Sequence, residues 1–596
     1  MAKRPISYTS RDFESIKDSL VNYAKRYYPN TFKDFNEASF GALMLDLVSY
    51  LGDQLSFYVD YQANESFIDS ALEFRNIVRL AKSMGHKMPG SPSSTGNCAF
   101  FIIVPASTTT TGPDFDYIPI LKRGTIVSAG TGASFTLNED VDFTDPSNSV
   151  TVATVDTDTG VPTSFAIKAF GKVISGRQQS QIITVGDYQR FRTVSLFATN
   201  VVEILSVTDS QGNEYLEVDY LTQDSVMSEV PNFESNRTAV PYLLKIKPAP
   251  RRFVTEFDSL GNASLQFGFG SEDNITTDVV ADPADVVLDV LGKNYVSDTN
   301  FDPSNLIASD KFGVVPVNTN LTVLYRANTA DEVNVSVGAI DTVSNVRFGF
   351  RNPNTLNSAK QSEVIASLEV SNEDPILGDT QDLLPDEMRE RAYASYASQN
   401  RAVTRSDYMS ICYRMPSKFG KIKRANIIQD SDSFRRNLNV YILSEDTLGN
   451  FTVPNETLKN NLKVWLSQYK MMNDSVDIFN GKIINYGVNF EVVPELDVNR
   501  YDILQRCVNE LVDKLSVKKE IGEAIYISEI YKFLNDVPGV VDTTNVEIYN
   551  RSGGVYSDLF FDVDSNISDD GRYVLLPQDT VAEILFPQKD IQGVVK

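Results

Sequence analysis

Residue types able to do chemistry are scarce in this chain and scattered along it. The one histidine, His86, follows a stretch of helical periodicity that ends at Gly85. A cation or a carbonyl hydrogen bond is favourable at such a place, so a capping role suits it better than catalysis. No spacing sets a serine or cysteine nucleophile against it. The three cysteines, Cys98, Cys412 and Cys507, are far apart, odd in number and free of any CxxC spacing, so neither a disulfide framework nor a zinc site is expected. Asp156-Thr-Asp158-Thr-Gly160 and Asp562-Val-Asp564-Ser-Asn566 begin like calcium loops. Both lack the later requirements: Val161 and Ile567 stand where glycine is needed, and Ile167 and Tyr573 where the bidentate glutamate belongs, so solvated turns are expected. Gly268-Phe269-Gly270 has neither a third glycine nor a following helix, and reads as a strand end rather than a phosphate cradle. Arg251 and Arg252 suit a solvated strand edge and an interface with acidic groups equally well. Arg389, Arg391, Arg401 and Arg405 form a basic patch, in which pairing with Asp386, Glu387 and Glu390 at helical spacing is favoured. No catalytic constellation, cofactor site or metal site is expected, and the chain reads as a non-enzyme.

The totals narrow the classes further. With 596 residues, of which 42% are apolar and 22% charged, the chain reads as a soluble globular protein of several domains. Its net charge of −25 opposes binding to nucleic acid and to anionic membranes. No secretory signal and no apolar run of membrane-spanning length is read from it, and its cysteine usage suits synthesis in a reducing compartment.

What remains are apolar faces. Phe13, Ile16, Leu20, Tyr23 and Tyr27 repeat at helical steps, behind a cap at Thr9 or Ser10. Phe40, Leu43, Met44, Leu47, Val48, Leu51, Leu55, Tyr58 and Val59 keep the same step, as do Phe67, Ala71, Phe74, Val78 and Ala81. Residues 1–90 therefore read as a helical segment whose faces either close a small core of their own or complete a bundle with other chains; the second is favoured, with Phe40, Leu43, Met44, Leu47, Leu51, Leu55, Phe67, Phe74 and Val78 as its candidate interface. At 91–185 the texture changes to short alternating runs separated by Thr, Gly, Pro and Asp, which predicts a β-domain. A second β-rich domain is expected at 186–346, with hairpin turns at Asp209–Asn213 and at Gly261-Asn262. Residues 347–384 read as a linker with at most one short helix. Residues 385–596 mix helices and strands in an α+β layer. The fold class is thus multidomain α+β: an N-terminal helical segment, β-rich middle domains and a C-terminal α+β domain.

The stretch FGALMLDLVSYLGDQLSFYVDYQANESFIDSALEFRNIVRLAKSMGHKMPG resembles the N-terminal helices of baseplate wedge proteins from contractile-tailed bacteriophages, the baseplate J-like family. ILKRGTIVSAGTGASFTLNEDVDF is similar to that family's Pro-x-Gly-Thr … Phe-Thr segment, with Leu121 and Lys122 departing from some members. Gln399, Asn400, Arg401, Ala402, Val403, Thr404, Asp407 and Tyr408 match its Gln-Asn-Arg-Ala-Val-Thr-x-x-Asp-Tyr pattern. ISEIYKFLNDVPGVVDTTNVEI resembles its closing helix–turn–strand, and the likeness is greatest to the larger wedge protein of T-even-like phages. Residues after 550 find no counterpart. The resemblance implies a structural protein of the virion tail, assembled in the host bacterial cytoplasm. Its expected partners are a second copy of itself, a long helical wedge partner and a sheath-initiator-like protein, with no nucleic acid and no membrane. The C-terminal domain would join copies into a ring around the tail tube, with Arg401, Thr404, Asp407 and Tyr408 as candidate self-association residues, and the ring would rearrange to trigger sheath contraction. Two alternatives stand beside this: a tail-associated glycan-binding or glycan-cleaving protein, and a baseplate subunit of a cellular contractile injection system.

Overall fold

A computed structural model of the chain describes residues 12–29, 39–107, 112–232, 242–258, 261–270, 312–381, 383–430, 437–496 and 498–596. It divides into two units, Met1–Met88 with Asp382–Gln399, and Pro89–Gln381 with Asn400–Lys596.

The first unit is helical. Helix α1 (Phe13–Tyr27) opens on Asp12, whose carboxylate accepts the Ser15 N–H while the Ser15 hydroxyl accepts the Asp12 N–H. That reciprocal pair fixes the start of the helix; Thr9 and Ser10 lie outside the described residues. Ser39 caps α2 (Phe40–Glu65) by accepting the Ala42 N–H. The predicted second helix of the following stretch is shorter than its periodicity suggests: α3 spans Phe74–Ser83 only, and Phe67 sits in the turn before it. The cause is Glu65, whose buried carboxylate accepts the N–H groups of Leu72 and Glu73 and an amide N–H of Asn76. The end of one helix thereby satisfies the backbone at the start of the next.

The second unit begins with a seven-stranded sheet. The long strands Thr95–Pro105 and Pro162–Ser175 pair along their whole length at its centre, and Phe100, Ile102, Phe135 and Val173 fill its core. The sheet is finished by segments from far along the chain: Ile340–Ser344 pairs with Ile126–Ala129, and Glu369–Ser371 pairs with Thr95–Pro105. The expected linker at 347–384 is therefore, as far as Gln381, part of this domain. It carries α4 (Ser358–Ala366) as well as the strand, and it buries Val364, Val370 and Ile376. The sequence hides this because short strands with few apolar residues pair only across a long separation.

The second β-domain is an insertion into the first. At Gly176 (φ +97°) the chain passes from Pro162–Ser175 to Arg177–Val185, which pairs with Thr319–Ala327. A side chain at Gly176 would strike the Ala327 carbonyl at 2.8 Å, so this crossing needs glycine. Both predicted hairpin turns are present. Asp209 accepts the N–H groups of Gln211 and Asn213, and Asp258 accepts that of Asn262.

The expected C-terminal domain loses its first helix to the other unit. Helix α5 (Pro385–Ser398) packs against α3 within the first unit, where Met388 and Ala392, one helical turn apart, close a core with Ala71, Ile77, Val78 and Ala81. The remaining residues form two α+β layers. In one, α6 (Arg405–Tyr413) and α7 (Glu456–Ser467) share a core with strands Arg424–Gln429, Asn437–Glu445 and Ser475–Asn480. In the other, α8 (Arg500–Leu515) and α9 (Ile527–Asn535) cover Lys482–Pro494 and Val540–Arg551. The segment after 550 supplies Thr580–Glu583 and Ile591–Val595, which both add to Lys482–Pro494 in parallel.

Candidate functional site

Helix α2 has two faces of opposite character. At about 100° per residue, Ala42, Asp46, Ser49, Gly52, Asp53 and Ser56 fall on one side. This small and polar side meets α1: a side chain at Gly52 would lie 3.2 Å from Ile16, and Lys17 pairs with Asp46 at 2.7 Å. The bulky apolar side looks the other way. Phe40, Leu43, Met44, Leu47, Val48, Tyr50, Leu51, Leu55, Phe57, Tyr58 and Val59 are all exposed, Phe40 by 73% and Leu55 by 65%. Helix α1 buries no residue completely, and Tyr23 and Tyr27 are exposed upon it.

An ordinary amphipathic helix turns its large side chains inward and its small or polar ones outward; α2 does the reverse. Small side chains let two helices approach closely, and that contact leaves the large apolar side chains of α2 exposed along its length. No helix among the described residues is long and apolar enough to cross a membrane.

Of the nine residues expected on the bundle face, Phe40, Leu43, Met44, Leu47, Leu51, Leu55 and Phe67 are exposed, the last in the turn before α3 rather than on a helix. Val78 is not available to a partner: it is 8% exposed and held in the core with Met388 and Ala392. Phe74 packs partly against the same core. The physical reason is α5. Its arrival covers the α3 face, and Arg389 fastens it by donating to the Ile68 carbonyl at 2.9 Å and to the Ala71 carbonyl, while it also pairs with Asp386.

Burial raises the pKa of the Glu65 carboxyl, but hydrogen bonds from Asn76, Leu72 and Glu73 outweigh it and leave the group below its ordinary range. It stays an anion at the joint between α2 and α3. Sequence reasoning missed Glu65. Its only signal was an acidic residue ending an apolar helix, a place the helix dipole disfavours.

The four candidates in the second unit separate. Arg401 and Thr404 are exposed. Thr404 caps α6: its hydroxyl accepts the Asp407 N–H at 3.2 Å, and the Asp407 carboxylate accepts the Thr404 N–H at 2.9 Å. Tyr408 is 1% exposed and donates its hydroxyl to Asp474 at 2.7 Å. It is a core residue of this chain and cannot face a second copy.

The other chemical candidates resolve locally. Arg252 is buried and donates to the Leu221 and Ala249 carbonyls, which excludes it from an interface. Asp156 accepts the N–H groups of Asp158 and Thr159, and Asp562 accepts the backbone N–H and the hydroxyl O–H of Ser565; both are turns. Gly268 lies so close to the returning chain that a side chain would overlap the Phe312 carbonyl oxygen at 2.0 Å. Cys98, Cys412 and Cys507 are free and buried, and burial pushes the thiols of Cys98 and Cys412 up to about 12 and that of Cys507 to about 11. His86 is buried just beyond α3, with its N–H donating to the Ala81 carbonyl.

Residues 12–83, which contain this surface, match the family model described as bacteriophage baseplate protein, N-terminal domain. Over that segment the chain is similar to phage baseplate proteins, and a structural role in a tail baseplate is what the match supports. No curated protein matches the chain. Among solved structures, a chain of the anti-feeding prophage (AFP) baseplate is 11% identical, with 96% of this chain and 98% of that one covered and a TM-score of 0.26. A chain of the type VI secretion system TssK-TssF-TssG baseplate subcomplex is 9% identical, with 73% and 96% covered and a TM-score of 0.26.

Proposed function

We propose that this chain is a non-enzymatic structural subunit of a contractile-tail baseplate, a wedge and inner-ring component that joins its neighbours through the open face of α2. The observation that carries the reading is the inverted packing of that helix: its small face is used within the chain, and its large apolar face is exposed among the described residues. The match of residues 12–83 to a baseplate N-terminal domain supports it independently. A helix from a long wedge partner, together with the same helix of a second copy, would bury Phe40, Leu47, Leu51 and Leu55 in a shared bundle. The second unit would then serve as spacer and ring element, and a change in ring arrangement would release the sheath.

Sizing by sedimentation tests this, first with the full chain alone and then with the neighbouring tail proteins. The wild-type chain is expected to enter a larger complex with those proteins. Leu47→Asp with Leu51→Asp is expected to abolish that complex while leaving the circular dichroism spectrum unchanged. Normal complex formation by the double variant would refute the bundle.

A further inference from the structure

The break between α2 and α3 is made without the residues that usually break helices. Residues 66–73 read Ser-Phe-Ile-Asp-Ser-Ala-Leu-Glu, with neither glycine nor proline, and none of them has a positive φ. Helices commonly end on a left-handed residue or before a proline. Part of the segment is already a helical turn, since the Ala71 N–H donates to the Phe67 carbonyl four positions back at 2.9 Å. Two charged side chains keep the rest out of the helix. In a continuous helix the Leu72 N–H would go to the Ile68 carbonyl, and the Ala71 carbonyl would receive the Arg75 N–H. Here the N–H groups of Leu72 and Glu73 go to the Glu65 carboxylate, at 2.7 and 3.3 Å. The carbonyls of Ile68 and Ala71 go to the Arg389 guanidinium of α5. An anion thus holds the donors of the missing helical bonds and a cation holds the acceptors, so the bent backbone is satisfied. The chain folds back at this point: residues 65 and 73 are about 12 Å apart in a continuous helix, too far for a glutamate side chain to reach the Glu73 N–H.

We propose that this pair of side chains is a releasable clasp: when α5 withdraws Arg389, residues 66–73 close the missing bonds and α2 and α3 become one continuous helix. Arg389 is the half that can leave. Glu65 belongs to α2 itself, whereas Arg389 lies 321 positions beyond Ile68. The chain on both sides of α5, up to Gln381 and from Asn400, belongs to the second unit. Once the guanidinium has gone, the carbonyls of Ile68 and Ala71 have lost their donors, and leaving them unpaired is costly. The Leu72 and Arg75 N–H groups are the replacements that helical geometry supplies. Glu65 loses at the same time a cation that favours its charged form. The same movement uncovers Val78 and Ala81, which α5 covers with Met388 and Ala392. Phe67, Ala71, Phe74, Val78 and Ala81 then lie on one face of a single helix, as their spacing implies. The device stands on hydrogen bonds within the first unit and does not require the baseplate reading.

Spin labels on the full chain read the break directly. The three native cysteines are buried, so labels go to Tyr58→Cys in α2 and Arg79→Cys in α3, both exposed positions. Diluting the labelled chain with unlabelled chain removes distances between copies from the pulsed dipolar signal. A continuous helix sets the two Cα atoms about 32 Å apart, and the bent form sets them closer. With Arg389 in place the shorter distance is expected alone. Arg389→Ala is expected to add a population at about 32 Å. A second substitution separates helix joining from unfolding. Glu73 has φ −73°, which proline adopts, but proline inside a helix removes an N–H and clashes with the carbonyl four positions back. Adding Glu73→Pro to Arg389→Ala is therefore expected to abolish the longer population. An Arg389→Ala chain that keeps only the shorter distance would overturn the proposal. So would a broad spread of distances that Glu73→Pro leaves unchanged, because that is local unfolding. No tail protein enters the measurement, so its failure leaves the bundle untouched.

Discussion

Asp379 shows how a single residue ties stability to pH. It is 6% exposed, and burial, with the nearby Glu332 carboxylate adding to it, pushes its pKa up to about 7. Lys421 and the Val333 N–H, which donates to it at 3.2 Å, oppose that rise without cancelling it. The neighbouring Glu445 is itself paired with Lys423 at 2.8 Å. Because the native carboxyl holds its proton to a higher pH than the unfolded one, the native state binds more protons between the ordinary carboxylate range and about 7. This group's contribution to stability is therefore full at low pH and is lost as pH rises through that window. Asp379→Asn keeps an acceptor for Val333 but cannot ionise. Thermal melts of the variant are expected to show a flatter pH dependence and a higher Tm than wild type at pH above the window. At Tyr408 the expected change is simpler: Tyr408→Phe removes a donor from the Asp474 carboxylate, and chemical denaturation should show a loss of about 1–3 kcal/mol. If Tyr408 acted at a subunit interface instead, stability of the isolated chain would be unchanged.

The helices carry a contrast between two apolar faces that look alike in sequence. Leu47 and Leu51 lie on the open face of α2, whereas Val78 lies under α5. Aspartate at the first two positions is expected to alter stability of the isolated chain by less than about 0.5 kcal/mol. Val78→Asp buries an unpaired carboxylate and is expected to cost about 3 kcal/mol or more. Urea denaturation of the variants distinguishes the faces, and equal losses at both would mean that α2 is covered within the chain. The 3.6-residue period was legible in both helices. What it could not show was which face meets a neighbour in the same chain, because α5 comes from some 300 positions further on and meets α3 only in space.

At the scale of the molecule, the β-domains are interleaved rather than consecutive. The sheet that begins at Thr95 lacks two of its strands until Ile340–Ser344 and Glu369–Ser371 are made. A fragment of residues 91–185 is therefore expected to show no cooperative thermal transition and no dispersed amide spectrum. A folded fragment would mean that the late strands are accessory.

The long periodic helices, the texture of the β-rich regions, the tight turns at Asp209–Asn213 and Gly261-Asn262, and the incompleteness of every familiar catalytic or metal-binding motif were legible in the sequence alone. Those properties are local: periodicity, capping side chains and turn residues act over a few positions. The sequence also marked α2 as apolar and the C-terminal region as mixed α+β. Which face of α2 turns inward, that Val78 and Tyr408 belong to private cores, and that Glu369–Ser371 within the expected linker completes a sheet were settled only by the tertiary structure. It alone showed that Thr580–Glu583 and Ile591–Val595 add in parallel to one strand. Each of these depends on a contact between segments far apart in the chain, and hydrophobic pattern records that a face is buried without recording against what.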